Sequence, residues 1–286
     1  MRSAGFPESV YQNLFIPVEA VNHVIDDDRV RGVSLTGSER AGSAVAERAG
    51  KRIKKTVLEL GGNDAFIVLE DADLDATIRA AVHGRMRNTG QSCVASKRFI
   101  VVQPVAERFL EGFVEAVRNL KLGDPLDPST KVGPLSTEAA AQRLEAQVQA
   151  AIDAGATVLV GGKRPDCAGA FYLPTILTDV APGTPTYDAE LFGPVATVYV
   201  VTNEEEAIRL ANDSSFGLGG SVYTRDIERG RRVAEQIETG MVFINEPTRS
   251  QTSLPFGGIK NSGYGRELSH LAMEEFVNKK LIHLPK

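Results

Sequence analysis

Two residues of this chain have side chains and surroundings suited to covalent and proton-transfer chemistry. Cys93 ends the run Asn88-Thr89-Gly90-Gln91-Ser92-Cys93, which is polar and contains a glycine. A cysteine after a flexible loop can be accessible, and its thiolate is a strong nucleophile. A free cysteine is also commonly just a small buried hydrophobe. Glu59 stands in Leu58-Glu59-Leu60-Gly61-Gly62. A lone carboxylate in an apolar strand is costly to bury unless it has a role, and burial raises its pKa toward that of a general base near neutrality. The alternative is a strand-end glutamate facing solvent. The two glycines after it let a ligand or a second backbone come close.

Three further stretches have unusual local chemistry. Thr36-Gly37-Ser38 lies between a β-rich run and a helical one. Ser38 suits an N-cap, and a helix N-terminus offers free N–H groups to a phosphate, although many helices start this way without binding anything. Glu190-Leu191-Phe192-Gly193-Pro194 places an acid beside a Gly-Pro stop, which by itself is usually a turn. The run Pro255-Phe256-Gly257-Gly258-Ile259-Lys260-Asn261-Ser262-Gly263-Tyr264-Gly265-Arg266 carries four glycines in nine residues. That predicts a loop with unusual backbone angles or a close approach to something.

The elements that position these residues alternate in type. An amphipathic stretch opens at Pro17, a β-rich run covers 30–35, a helix 39–50 and a strand 56–60. Strands are predicted at 65–69, 97–102, 157–160, 196–201, 219–223 and 241–245. Helices are predicted at 74–87, 106–120, 137–154, 204–211 and 227–237. Repeated strand–helix order predicts a parallel sheet with crossover helices. A doubly wound nucleotide domain normally begins with a strand and a glycine-rich turn, and no such unit precedes Gly5-Phe6-Pro7. The first residues read as the middle of a folded domain. The last, 276–284, read as an extended arm.

Bulk properties narrow the function classes. The chain has 286 residues, 42% hydrophobic and 24% charged, with a net charge of −5. That is an ordinary globular composition, with basic and acidic residues interspersed rather than gathered into a nucleic-acid-binding face. The two cysteines, Cys93 and Cys167, and four scattered histidines predict neither a disulfide framework nor a metal site. No apolar run has the length of a membrane span and no signal peptide is evident, so a reducing cytoplasm is the expectation.

Taken together, Leu58-Glu59-Leu60-Gly61-Gly62, Gly90-Gln91-Ser92-Cys93, Glu190-Leu191-Phe192-Gly193-Pro194 and Pro255-Phe256-Gly257-Gly258 resemble the aldehyde dehydrogenase superfamily in order and spacing. The likeness covers essentially the whole chain. Within the superfamily it is greatest to the bacterial NAD(P)-dependent succinate-semialdehyde dehydrogenases. The resemblance implies an α/β fold with a partial Rossmann-type cofactor domain (1–62), an α/β catalytic domain (63–262) and a C-terminal return segment with an oligomerisation strand (263–286). It implies an enzyme that oxidises an aldehyde to the carboxylate with NAD or NADP, through a thiohemiacetal and then a thioester on Cys93. Glu59 is then the base that activates the hydrolytic water. Thr36, Gly37, Ser38, Leu60, Gly61, Glu190 and Phe192 fall at cofactor positions: Ser38 at the pyrophosphate, Glu190 and Phe192 at the nicotinamide ribose. Phe256 falls in the substrate funnel.

Arg87, six residues before Cys93, is the substrate clue, since succinate-semialdehyde enzymes similarly carry an arginine there. A guanidinium fork suits a distal carboxylate; the other reading is a surface arginine at a helix C-terminus, favoured by the dipole. Ser250 is a weaker second candidate and Arg249 weaker still. The partners implied are a small aldehyde with a distal carboxylate and, for a full-length form, other copies of itself, with no nucleic acid and no membrane.

The chain departs from the family pattern at its start. The family's Pro-Trp-Asn segment, which supplies the oxyanion amide, and the residues that grip the adenosine ribose would lie upstream of Met1. The expectation is therefore an N-terminally truncated form in which the isolated chain lacks full activity. The alternative is a catalytically silent or esterase-only homologue.

Overall fold

Short polar side chains set the starts of five of the helices. Ser38, Asp73, Thr137, Asn203 and Asp226 each accept a hydrogen bond from the backbone N–H three residues on, satisfying a donor the helix itself leaves unpaired. The computed structural model describes residues 2–286. A first unit runs α1 (Val18–Asp26), β1 (Gly32–Thr36), α2 (Glu39–Lys51) and β2 (Lys55–Glu59). A longer series follows: β3 (Ala65–Val68), α3 (Leu74–Met86), β4 (Arg98–Val102), α4 (Gln103–Arg118), α5 (Glu138–Asp153), β5 (Thr157–Val160), β6 (Thr175–Thr178), α6 (Pro185–Asp188), β7 (Val195–Val201), α7 (Glu204–Asn212), β8 (Phe216–Gly217), β9 (Gly220–Tyr223), α8 (Ile227–Ala234) and β10 (Phe243–Ile244). The chain closes with β11 (Ile259–Lys260), β12 (Gly263–Tyr264) and α9 (Ser269–Glu275).

The main sheet has the strand order β10-β9-β3-β4-β7-β6-β5, parallel throughout except for β5 against β6. Every residue of β3 and β4 is buried, which is why these strands read as continuous apolar runs rather than alternating ones. Phe66 and Phe99 on these strands meet with ring centroids 4.9 Å apart, and Phe99 meets Phe113 of α4 at the same spacing. Offset aromatic pairs of this kind stabilise a core beyond their buried area.

The smaller sheet has the order β1-β2-β12. Here β1 and β2 are parallel, and β12 returns from the C-terminal part to pair antiparallel with β2, placing Gly263 opposite Glu59. A Cβ on Gly263 (φ +108) would collide with the Leu58 carbonyl, so glycine is required on both conformational and steric grounds. The glycine-rich run is thus part loop and part strand.

Some elements differ from the sequence reading. Strand β6 and helices α6 and α9 were not expected; β6 and α6 have four residues each, too few for periodicity to register. Residues 276–284 were expected to be extended, and they lie outside every helix and sheet, with Val277, Leu281, Ile282 and Leu284 exposed. Phe6, Tyr11, Leu14, Phe15 and Val18 are likewise exposed near the other end of the chain. None of the helices among the described residues is long and apolar enough to cross a membrane.

Candidate active site

The nucleophile candidate lies between α3 and β4. Helix α3 ends at Met86, and the backbone then reverses through Asn88, Thr89 and Gly90, all in the left-handed region with φ of 52°, 56° and 71°. Such angles are costly for a β-branched residue like Thr89 and persist only where surroundings impose them. The surroundings are explicit. Arg85, fully buried, donates to the carbonyls of Gly90, Leu191, Gly193 and Ser96. Thr89 Oγ1 accepts from Gly133 N–H at 3.1 Å, and Asn88 Nδ2 donates to the Gln91 carbonyl at 2.9 Å. Gln91 Oε1 accepts from Ser136 N–H at 2.8 Å. The expected flexible loop is therefore a strained, pinned turn. Cys93 follows it, partly buried, and burial pushes its thiol pKa up, opposed by the Lys97 cation and reinforced by the Asp64 and Glu190 charges.

Glu59 ends β2, only 2% exposed, and neither carboxylate oxygen has a hydrogen-bond partner. Burial raises its pKa to about 8, the Glu267 charge adds to this, and Arg266 opposes it. It is buried rather than facing solvent. The carboxylate lies against the glycine-rich run, where a Cβ on Gly257 would come 2.9 Å from its Oε1.

The chain beyond Glu59 connects these parts. Gly62 donates its N–H to Glu190 Oε1 at 3.1 Å, and a Cβ on Gly62 would stand 2.5 Å from the Cys93 carbonyl. A Cβ on Gly61 would stand 2.6 Å from Glu190 Oε2. The glycines thus admit Glu190 and the nucleophile turn to the same backbone. Leu60 turns its side chain onto Gly42 of α2, so the contact found is with the helix rather than with the turn that carries Cys93. Phe192 is 46% exposed.

At the head of the smaller sheet, Thr36 is opposite Glu59 in the parallel register and Gly37 N–H donates to the Glu59 carbonyl at 3.0 Å. Ser38 caps the 13-residue helix α2 through Ala41 N–H. The candidate cofactor turn and the candidate base are therefore lateral neighbours. An exposed helix N-terminus, side-chain-free Gly61 and Gly62, the Glu190 carboxylate and exposed Phe192 fit the pyrophosphate and nicotinamide end of a dinucleotide.

A cavity of about 540 Å³ opens on the other side of the turn. Its walls include Arg87, Ser92, Val94, Arg249 and Ser250, so the three substrate candidates from the 87 and 249–250 positions share one space with the residues flanking Cys93. Arg87 is exposed; its backbone N–H donates to the His83 carbonyl, and its guanidinium makes no hydrogen bond or ion pair among the described residues. Arg249 is engaged by Glu246 at 2.9 Å. Phe256 does not line this cavity; it is buried, its backbone bridging to Glu267. Glu59 does not line it either.

Sequence reasoning missed three buried charged residues here: Arg85, Asp64 and Lys97. Asp64 accepts from Gly219 N–H at 3.1 Å, and burial raises its pKa to about 6. The available signal was their position, since each stands at the edge of an otherwise apolar strand or helix face, where an unpaired charge would be costly.

The chain combines an α/β fold, a cysteine on a pinned turn, a buried glutamate at a strand end and a helix N-terminus beside it, and it belongs to the aldehyde dehydrogenase family, whose profile matches residues 1–282. Among curated relatives it is 56% identical over 279 residues to a succinate-semialdehyde dehydrogenase [NADP(+)] of Deinococcus radiodurans, covering 98% of this chain and 58% of that protein. It is 50% identical over 278 residues to the Mycobacterium leprae protein of the same description, covering 97% of this chain and 61% of that one. The crystal structure of succinic semialdehyde dehydrogenase from Streptococcus pyogenes with NADP+ superposes with a TM-score of 0.94 at 49% identity, covering 96% of this chain and 60% of that one. The chain thus spans about 60% of the length of these relatives.

Proposed function

We propose that these residues form the catalytic part of an enzyme that oxidises an aldehyde bearing a distal carboxylate, succinic semialdehyde foremost, to the carboxylate with NADP or NAD. The observation that carries the substrate class is Arg87: an unpaired guanidinium on the wall of the cavity that reaches both neighbours of Cys93. An unpaired guanidinium offers a planar fork whose two arms a carboxylate can accept together. The Deinococcus radiodurans and Mycobacterium leprae relatives, both succinate-semialdehyde dehydrogenases [NADP(+)], support the same substrate and cofactor.

In this reading the Cys93 thiolate attacks the aldehyde carbon, a new S–C bond forms, and the carbonyl oxygen becomes an oxyanion held by the Cys93 backbone N–H. NAD(P)+, when bound, would supply the acceptor for the hydride that leaves the adduct carbon as it becomes a thioester. Glu190 would hold the ribose end of that cofactor and Ser38, with the start of α2, the phosphates. Glu59 then takes a proton from water as the water attacks the thioester carbon, and the S–C bond breaks to return the Cys93 thiol and release the acid. A carboxylate with a pKa of about 8 and two unpartnered oxygens is a competent acceptor for that proton.

The test is NAD(P)H formation from succinic semialdehyde. Because the chain matches about 60% of its relatives' length, it is run on a chimera that carries the upstream segment of the Deinococcus radiodurans relative. Turnover that vanishes on Cys93→Ala supports the reading. A chimera that folds, binds NADP and oxidises no aldehyde would sink it.

A further inference from the structure

Lys97 opens the sequence Lys97-Arg98-Phe99 that leads into β4, and its side chain is 1% exposed. The mechanism above makes no use of it. Taking an ammonium wholly out of water is among the least favourable placements a side chain can have, and it is retained where the ion meets several partners at once. Lys97 meets four. Its Nζ lies 3.1 Å from the Ser92 carbonyl, 2.9 Å from the Cys93 carbonyl, 3.1 Å from the Ala95 carbonyl and 3.1 Å from Glu190 Oε1. The same Glu190 oxygen accepts from Gly62 N–H. One buried cation therefore touches the peptide groups on either side of the nucleophile and the carboxylate assigned to the cofactor ribose.

We propose that Lys97 is the positioning residue of this site, fixing the Cys93 turn and the Glu190 carboxylate in a single arrangement so that nucleophile and cofactor end are set by one group. Three carbonyls that converge on a point repel one another unless a cation sits among them. Without Lys97 the turn after Ser92 loses the charge that draws those carbonyls inward, and Glu190 loses its ion partner. The rest of the turn is already held by Arg85 from the opposite side through Gly90, Leu191 and Gly193, so the fold itself has a second clamp. The electrostatic consequence has a definite sign. The charged groups acting on the Cys93 thiol are Lys97, Asp64 and Glu190; the cation favours the thiolate and the two carboxylates oppose it.

The inference rests on Cys93 being the nucleophile, and its test needs neither aldehyde nor nicotinamide, so failure of the oxidation reading leaves the result interpretable. Residues 1–286 with Cys167→Ser are alkylated with iodoacetamide across pH 6 to 10, and modification of the Cys93 peptide is followed by mass spectrometry. In Lys97→Met the pH midpoint of alkylation moves up, and the rate at pH 7 falls by about tenfold, because the cation that meets the carbonyls on both sides of Cys93 no longer favours the thiolate. In Glu190→Gln, where Lys97 is left facing Cys93 without its counter-ion, the midpoint moves down and the rate at pH 7 rises. Thermal unfolding of each variant reports on folding. A folded Lys97→Met with the parent midpoint and rate would make Lys97 a structural ion only and overturn the proposal. Should Lys97→Met fail to fold, an unchanged midpoint in Glu190→Gln overturns it equally.

Discussion

Gly62 donates its backbone N–H to Glu190 Oε1 at 3.1 Å, joining the turn beyond β2 to a motif far along the chain. A Cβ at Gly62 would also stand 2.5 Å from the Cys93 carbonyl, which is backbone and cannot swing aside. Gly62→Ala is therefore expected to displace the nucleophile turn. Overpacking of this kind costs about 1–3 kcal/mol, so the variant should remain folded with a lowered Tm. Its Cys93 alkylation rate and any ester turnover should drop by more than the loss of folded protein explains. Parent-like alkylation at Cys93 would show that the turn tolerates the methyl group.

Cys93 and Cys167 separate cleanly. Cys167 is exposed, in a segment outside every helix and strand. Hydrolysis of an activated ester such as p-nitrophenyl acetate, which requires no cofactor, should disappear in Cys93→Ala and persist in Cys167→Ser. Full turnover in Cys93→Ala would remove it as nucleophile.

Glu59 should give the reaction a basic limb. Its pKa is raised from 4.5 to about 8, so it is largely protonated at pH 7 and accepts protons better as the pH rises through 8. Thioester hydrolysis should rise over that interval, and Glu59→Gln should lose the rise. Stability carries the opposite sign. The folded pKa lies above the unfolded one, so the native state binds more protons between pH 4.5 and 8. The glutamate's contribution is most favourable below pH 4.5 and is lost as pH passes through 8. Glu59→Gln should thus raise Tm more at pH 9 than at pH 5. A Tm difference independent of pH would show that Glu59 is not perturbed in this way.

Arg87→Ala, made in the active chimera, is expected to raise KM for succinic semialdehyde by roughly 10- to 100-fold, the value of a charge-assisted hydrogen bond. An apolar aldehyde of the same length should be little affected. Equal losses for both substrates would assign Arg87 to the fold rather than to the carboxylate.

The 286-residue polypeptide by itself should show negligible NAD(P)-linked oxidation, while the chimera should be active. In the proposed reading Ser38, Glu190 and Phe192 would meet only the pyrophosphate and nicotinamide end of the cofactor. The oxyanion would there have the Cys93 backbone N–H as its donor, and one such donor is typically worth roughly 100- to 1000-fold in rate. NAD(P)H absorbance with both polypeptides and both cofactors decides the matter, and robust turnover by residues 1–286 alone would mean that another group serves the oxyanion.

The α/β alternation and Ser38 as the cap of α2 were legible from the sequence alone, and Cys93 and Glu59 stood out there as candidates. Each depends on a local rule: apolar periodicity, a hydroxyl or carboxylate one residue before a helix, a reactive side chain inside a distinctive short motif. Arg87, Arg249 and Ser250 were readable as substrate candidates for the same reason, although only the cavity unites them. What tertiary structure alone decided is non-local. The turn at 88–90 looked flexible because its residues are polar, yet a buried guanidinium donated from α3 to carbonyls more than a hundred residues away holds it in left-handed geometry. Lys97 looked like the first residue of a strand. Its role depends on where Glu190 and the Ser92, Cys93 and Ala95 carbonyls converge in space. A charge's worth is set by its distances to other charges and by the water it has lost, and neither quantity is written in the order of residues along the chain.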